Sequence, residues 1–161
     1  MAYIYPAPGN GNAEVTLKIE VSGDSSPLAI PALQDITINN SNDVFSWTQL
    51  DQGSKLQIAT TATNSLSMNL VLDQGVFFGA TSAGNVAVSK GVFGLSKDKT
   101  KIAFDLYLGD EDDGTAGKFI SGEGYITGLA PTVSADSPVW VSPITITVDG
   151  DYTVGDSATV S

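Results

Sequence analysis

The side chains that usually carry catalysis are scarce in this 161-residue chain. It has no His and no Cys, and its cations are seven Lys with no Arg. Without imidazole it lacks the usual general base and the commonest metal ligand. Without thiols it has neither a disulfide nor a thiolate metal site. Nucleophilic triads and phosphoryl clamps are short of parts. Carboxylates remain. The acidic run Asp110-Glu111-Asp112-Asp113 is the one candidate cation loop. A calcium loop needs alternating oxygen ligands, a glycine at position six and a bidentate Glu at position twelve. Counted from Asp110, the glycine falls at position five and position twelve is Ser121, so the run reads as a solvated turn. Asp105 and Glu123 sit on neighbouring strands in this reading and could approach as a glycosidase pair. A structural or surface role fits them better. Gly122, Gly124 and Gly128 lie inside a strand pattern and not at a strand-to-helix turn. They mark close backbone approach or bulges, not a nucleotide fingerprint. No catalytic, cofactor or metal residue is assigned.

The elements that position these groups are strands. Gly117 to Asp149 reads as a β-hairpin. Phe119, Ser121, Glu123, Tyr125, Thr127 and Leu129 fall on one face, and Ile120, Gly122, Gly124, Ile126 and Gly128 on the other. The turn spans Ala130-Pro131 to Asp136-Ser137-Pro138, and β-branched residues dominate the return through Val148. Pro143 has no N–H for a ladder, so the return strand is an edge or bulged there. Glu14–Val21, Leu33–Asn39, Leu56–Ile58, Leu66–Leu72 and Lys101–Leu108 also alternate. Ser82 is positioned to cap a short helix through Val92, which Gly84 and Gly91 weaken by about 1 kcal/mol each. Residues 1–12, Pro- and Gly-rich, read as an extended arm or a disordered tail, and in the arm Tyr3 and Tyr5 are contact candidates. Residues 150–161 form a polar tail expected to fray. The sum is one all-β domain over 1–161, a β-sandwich or barrel of about seven strands with at most one short flanking helix.

Residues 40–54 stand apart. Val44, Phe45, Trp47 and Leu50 are set among Asn, Ser, Asp and Gln. The segment reads as a loop, a long protruding hairpin or a continuation of the preceding strand. Its apolar residues either cover the core or form a contact surface. The formal charge of −11 repels phosphate backbones. No run of roughly 18 apolar residues exists to span a membrane as a helix, and the first residues lack the basic start and apolar stretch of a signal peptide.

Three segments carry a resemblance. Ile36–Asp51 (ITINNSNDVFSWTQLD) is a strand running into a long excursion. Asn64–Asp73 (NSLSMNLVLD) is a strand closing on an acid. Gly117–Val154 is a closing hairpin with a β-rich end. In this order they resemble the major tail tube proteins of tailed bacteriophages and of gene-transfer agents, over about two thirds of the chain. The departure is Gln74–Lys97, where that family has a plainer helix.

The resemblance implies a structural virion protein with no enzymatic activity and no cofactor. Six protomers would form a ring, rings would stack into the tail tube, and the genome would pass through without specific binding. Partners would be the chain itself and other tail proteins: sheath if the tail contracts, baseplate or tip, terminator and tape measure. The protein would be assembled in the host cytoplasm and reside in the virion. Residues 40–54 would then link ring to ring, and Asp105, Lys118 and Glu123 become lumen candidates in a negatively lined channel. Two alternatives remain open: another virion part such as a head decoration or tail terminator protein, and an Ig-like carbohydrate-binding or adhesion module.

Overall fold

The computed structural model describes residues 3, 4, 6, 14–31, 33–111 and 114–160. Tyr5, most of the N-terminal arm, and Asp112 and Asp113 of the acidic run lie outside that set.

Nine strands form one antiparallel sheet: β1 Thr16–Val21, β2 Leu28–Ile30, β3 Leu33–Trp47, β4 Leu56–Val71, β5 Ile102–Tyr107, β6 Phe119–Leu129, β7 Thr132–Ser134, β8 Ser137–Val148 and β9 Thr153–Gly155. The order is β2-β1-β5-β6-β8-β4-β3, with β7 added to β8 and β9 to β6. The all-β expectation holds, with three short strands (β2, β7 and β9) beyond those read from alternation. The two edge strands, β2 and β3, are separated by only two positions of chain. The sheet therefore has to curl until its edges approach one another, and it remains open at that seam.

Curling places one face of every long strand inward. Leu17 and Ile19, Ile102, Phe104 and Leu106, Ile126, Ile144, Ile146 and Val148, and Leu66, Met68 and Leu70 form a single buried cluster. At roughly 1.5–3 kcal/mol for each large side chain taken from water, this cluster is the main stabilising element.

Two short helices plug one side. Asp73 caps α1, Gln74–Phe77, by accepting the Val76 N–H at 2.9 Å. α2 spans Val92–Lys97 and buries Val92 and Leu95. The helix expected over 82–92 is not present. Ala80 and Ala87 form an isolated parallel bridge, Val88–Lys90 make a 3-10 turn, and α-helix starts only at Val92. The reason is Gly84, whose φ of +87° takes the left-handed region and ends any helix begun at Ser82.

The glycines and proline of the β6–β8 hairpin act as read. A Cβ on Gly124 would lie 2.2 Å from the Thr147 carbonyl oxygen, so the two backbones approach as only glycine permits. Gly128 adjoins the β6 bulge. Pro143 falls between the last β6 pair, Leu129↔Ile144, and the first β7 pair, Thr132↔Val141. On that side β8 has no ladder partner to lose.

The expected fraying of residues 150–161 is overturned for 150–160, the described part of that tail. β9 pairs with the start of β6, and Val160 is buried at 3% exposure. A polar, aperiodic tail carries no sign of this in its own sequence, because its anchor is the distant Asp105.

Candidate assembly surface

β3 does not stop at Asn39, as its early alternation suggests. It runs on to Trp47 and returns as β4, pairing from Asn39↔Ser65 out to Trp47↔Leu56. The continuation and the protruding hairpin are thus one object. β8 flanks β4 only from Ser65 to Val71. Beyond that point the hairpin has no lateral neighbour and projects about 30 Å at the usual rise per residue. Asp43 sits at its irregularity, where Thr60 Oγ1 donates to the Asp43 carbonyl at 3.1 Å and Thr61 Oγ1 to its carboxylate at 3.0 Å.

The outer part of the hairpin is apolar on one face. Phe45 lies opposite Ile58, and Trp47 opposite Leu56. Residues two apart on a strand share a face, and directly opposed pairs touch. Phe45 and Trp47 stack at 5.9 Å with an interplanar angle of 26°. Phe45 is 60% exposed, Ile58 55% and Val44 58%, while Leu50 stands fully in solvent at the turn. Trp47 is half-buried, and its cover is Phe45 and the hairpin itself. The four sequence candidates therefore gather on one projecting arm, away from the core cluster. Sequence reading missed Ile58, whose place opposite Phe45 depends on the hairpin register.

A polar lock fixes the root of this arm. Asn64 is buried. Its amide donates to the Gly150 carbonyl at 2.8 Å, and its oxygen accepts from Asn40. The Tyr152 hydroxyl reaches the carbonyls of Ser65 at 2.7 Å and Asn39 at 2.9 Å, and burial pushes that phenol's pKa up. The turn 149–152 thus holds both strands where they leave the body. Asn64→Leu removes the amide and orphans its partners at a cost of about 1–3 kcal/mol. The expected result is faster amide exchange confined to 40–46 and 56–63. Unchanged protection there would mean that the lock does not set the arm.

The solvent face of the sheet at the root is lined by hydroxyls and amides. Thr127 and Thr147 hydroxyls meet at 2.8 Å, Asn39 donates to Ser67 at 3.2 Å, and the Asn69 amide reaches both Asp35 oxygens at 3.1 and 3.0 Å.

The three lumen candidates separate. Glu123 is exposed, bridged by Lys101 at 2.9 Å with Asp149 as the second acceptor. Lys101 beside it, then Ser22, holds its carboxyl below the usual range. Lys118 is exposed and paired with Asp156, which raises its pKa. Asp105 is corrected: it is 2% exposed. Ser121 Oγ and the Val160 N–H donate to it, together with the Thr159 N–H at 2.6 Å and the Thr159 hydroxyl at 2.8 Å. It binds the chain's own last turn and presents no charge outward. Its register partner on β6 is Ser121, and Glu123, one diagonal step away, is engaged by Lys101 and the Ser22 hydroxyl instead. Of the arm residues, Tyr3 is exposed and Ile4 forms an isolated bridge with Glu111 of the same chain. Among the described residues no three His, Cys, Asp or Glu are grouped to hold a metal ion.

No family profile and no curated protein sequence matches the chain. Solved structures do. The tail of an empty gene transfer agent particle, refined with six-fold symmetry, aligns with a TM-score of 0.62 at 15% identity, covering 92% of this chain and 98% of that one. The SPP1 tail tube aligns at 0.63 and 13% identity, over 95% and 82%. A chain from the sheath/tube terminator of an extracellular contractile injection system aligns at 0.54 and 18% identity, over 94% and 97%. At such identities the likeness is one of architecture, and it runs nearly end to end. The fold of this chain is the fold of phage and gene-transfer-agent tail tubes.

Proposed function

We propose that this chain is a tail tube protein: it assembles into hexameric rings that stack into a hollow tube through which a genome passes. The observation that carries the reading is the long β3–β4 arm, held rigidly at its root and bearing an apolar patch that its own protomer leaves bare. A monomer gains nothing by holding Phe45 and Ile58 in water on a projecting hairpin. An assembling protomer gains a binding anchor. The free edge of β3 and the open seam beside β2 are likewise a liability that lateral assembly removes.

The solvent face at the root suits a channel wall. It offers hydroxyls and amides with Asp35 and Glu123, and the nearest cation, Lys101, is already paired with two carboxylates. With Lys101 so paired and the chain at a formal net charge of −11, DNA phosphates meet little attraction, so passage releases few counterions and binding stays weak. Lys118, tied to Asp156, adds little net charge.

Purified protein viewed by negative-stain microscopy should show rings or tubes with a lumen wide enough for a DNA duplex. Particles that remain monomeric at high concentration, with tail-tip components present, would end the reading. A terminator is the second possibility, favoured by the match to a sheath/tube terminator structure. It predicts single rings that never elongate, which the same images distinguish.

A further inference from the structure

We propose that Ile4 and Pro6 belong to a strap that keeps the open seam of an unassembled protomer from pairing with a second copy; this rests on the tube reading above. The seam supplies the reason for a strap. β1 has β5 on one flank, and on the other β2 joins it only from Leu17↔Ile30 to Ile19↔Leu28. Among the described residues no strand pairs with β1 on that flank before Leu17. β3 has β4 on one flank and no strand on the other. A cavity of about 630 Å³ opens between these two edges, lined by residues 14–17, 29–31 and 33–36. Consecutive residues of a strand alternate faces, so a wall made of unbroken runs is a backbone edge and not one face of the sheet. Unpaired N–H and C=O groups in such a slot are a template for another chain's strand.

The strap touches the body at two points. Pro6 lines the same cavity, and Ile4 makes an antiparallel bridge with Glu111. The anchor is a fixed turn: the Glu111 N–H donates to the Thr115 carbonyl at 2.8 Å, and the Glu111 carbonyl accepts from the Gly114 N–H at 3.0 Å. The chain therefore passes from the β5–β6 loop to the seam within two positions. Two residues at the slot, Pro6 and Pro31, have no N–H to give a ladder. Proline at a strand edge, and a segment laid over that edge, are both ways of blunting edge-to-edge pairing. The hold is weak, since Ile4 keeps 41% of its surface exposed and its bridge is isolated. Such a strap screens the edges from chance encounters and yields to a partner that fills the slot.

Weakness sets the size of the effect. A protomer whose slot is open about one time in ten has an apparent dissociation constant about tenfold above that of one whose slot is always open. Removing the strap should therefore lower the concentration needed for assembly about tenfold, and fastening it should stop assembly. A segment that linked one copy to the next would act in the opposite sense, because its removal would weaken assembly.

The absence of native cysteine allows the strap to be fastened. Facing Cα atoms in an antiparallel bridge lie about 4.5–5.5 Å apart, inside the range of about 4.4–6.8 Å that a disulfide spans. A chain carrying Ile4→Cys and Glu111→Cys is oxidised at high dilution and its monomer isolated. It should stay unassembled by sedimentation and negative-stain microscopy, and assemble like the unaltered chain once reduced. A chain lacking residues 1–6 should assemble at about one tenth of the usual concentration. So should Ile4→Asp, which sets a carboxylate directly against Glu111. Failure of the monomer to form the intrachain disulfide would show that the strap does not lie at Glu111 and overturn the proposal. Locked protein that assembles at the usual concentration would overturn it too, as would a shortened chain that needs more protein than the full one; both results leave the tube reading intact. If no form of the chain makes rings or tubes, the tube reading fails and the strap has nothing to restrain, which overturns both.

Discussion

Trp47→Ala is expected to leave the protomer folded and to abolish tube formation. Its ring stacks on Phe45, and Leu56 lies opposite it across the strand pair. Losing an aromatic pair costs about 0.5–1.5 kcal/mol, and a cross-strand pair about 0.2–1 kcal/mol. Neither lies in the buried cluster that holds the sheet, so cooperative unfolding should move little. At a stacking contact the arithmetic differs. Truncating an anchor costs on the order of 2 kcal/mol, roughly thirty-fold in affinity for each site. In the proposed hexameric ring six such sites would act together, so the losses would multiply. The measurement is paired: thermal unfolding of the isolated protomer, and tube length by electron microscopy. Phe45→Ala should behave in the same way. A protomer that melts far earlier would assign Trp47 to stability. Tubes of ordinary length would remove the arm from the stacking contact.

Side-chain alternation carried the strand readings because curling buries one face of each strand and wets the other. Ile102, Phe104 and Leu106 lie in the core while Ala103 faces away, as their spacing requires. Within residues 40–63 the same rule yielded only the fragment Leu56–Ile58. There both faces of β3 and β4 are solvated, so no burial imprints a period of two. What remained legible was composition: Val44, Phe45, Trp47 and Leu50 out of place in a turn-like segment. Their gathering on one arm was not legible, because it depends on a register that brings Ile58 opposite Phe45. Residues 82–92 failed for a different reason. Capping and i, i+4 spacing suggested a helix, and one backbone angle at Gly84 overrode both. The contacts Asn64–Gly150 and Asp105–Thr159 join positions more than 50 residues apart, and local patterning holds no record of such pairs.

Asp105→Ala is expected to release the last described residues of the chain from the sheet. Asp105 sits on β5 with its outward face closed over by Thr159 and Val160, and it takes hydrogen bonds from two successive backbone N–H groups and two hydroxyls. Removing the carboxylate leaves these donors without an acceptor. Kept buried, each would cost about 1–3 kcal/mol, more together than docking a short exposed segment returns. The cheaper response is to peel away and let water take the donors, which confines the loss to a local opening. Only Val160 of that segment is buried, and its exposure costs about 1.5–3 kcal/mol at most. The expected outcome is loss of amide-exchange protection at Thr159 and Val160 and new protease cleavage within 156–160, with a modest drop in melting temperature. Asp105→Asn should hold the segment much better, because its amide oxygen can accept from the two N–H groups that share one carboxylate oxygen while its NH2 donates to the Ser121 and Thr159 hydroxyls. Ser121→Ala, which keeps the acceptor and removes only one donor, should hold the segment in place. Intact protection at Val160 in Asp105→Ala would show that β9 and the turn before it, and not the carboxylate, fasten this end of the chain.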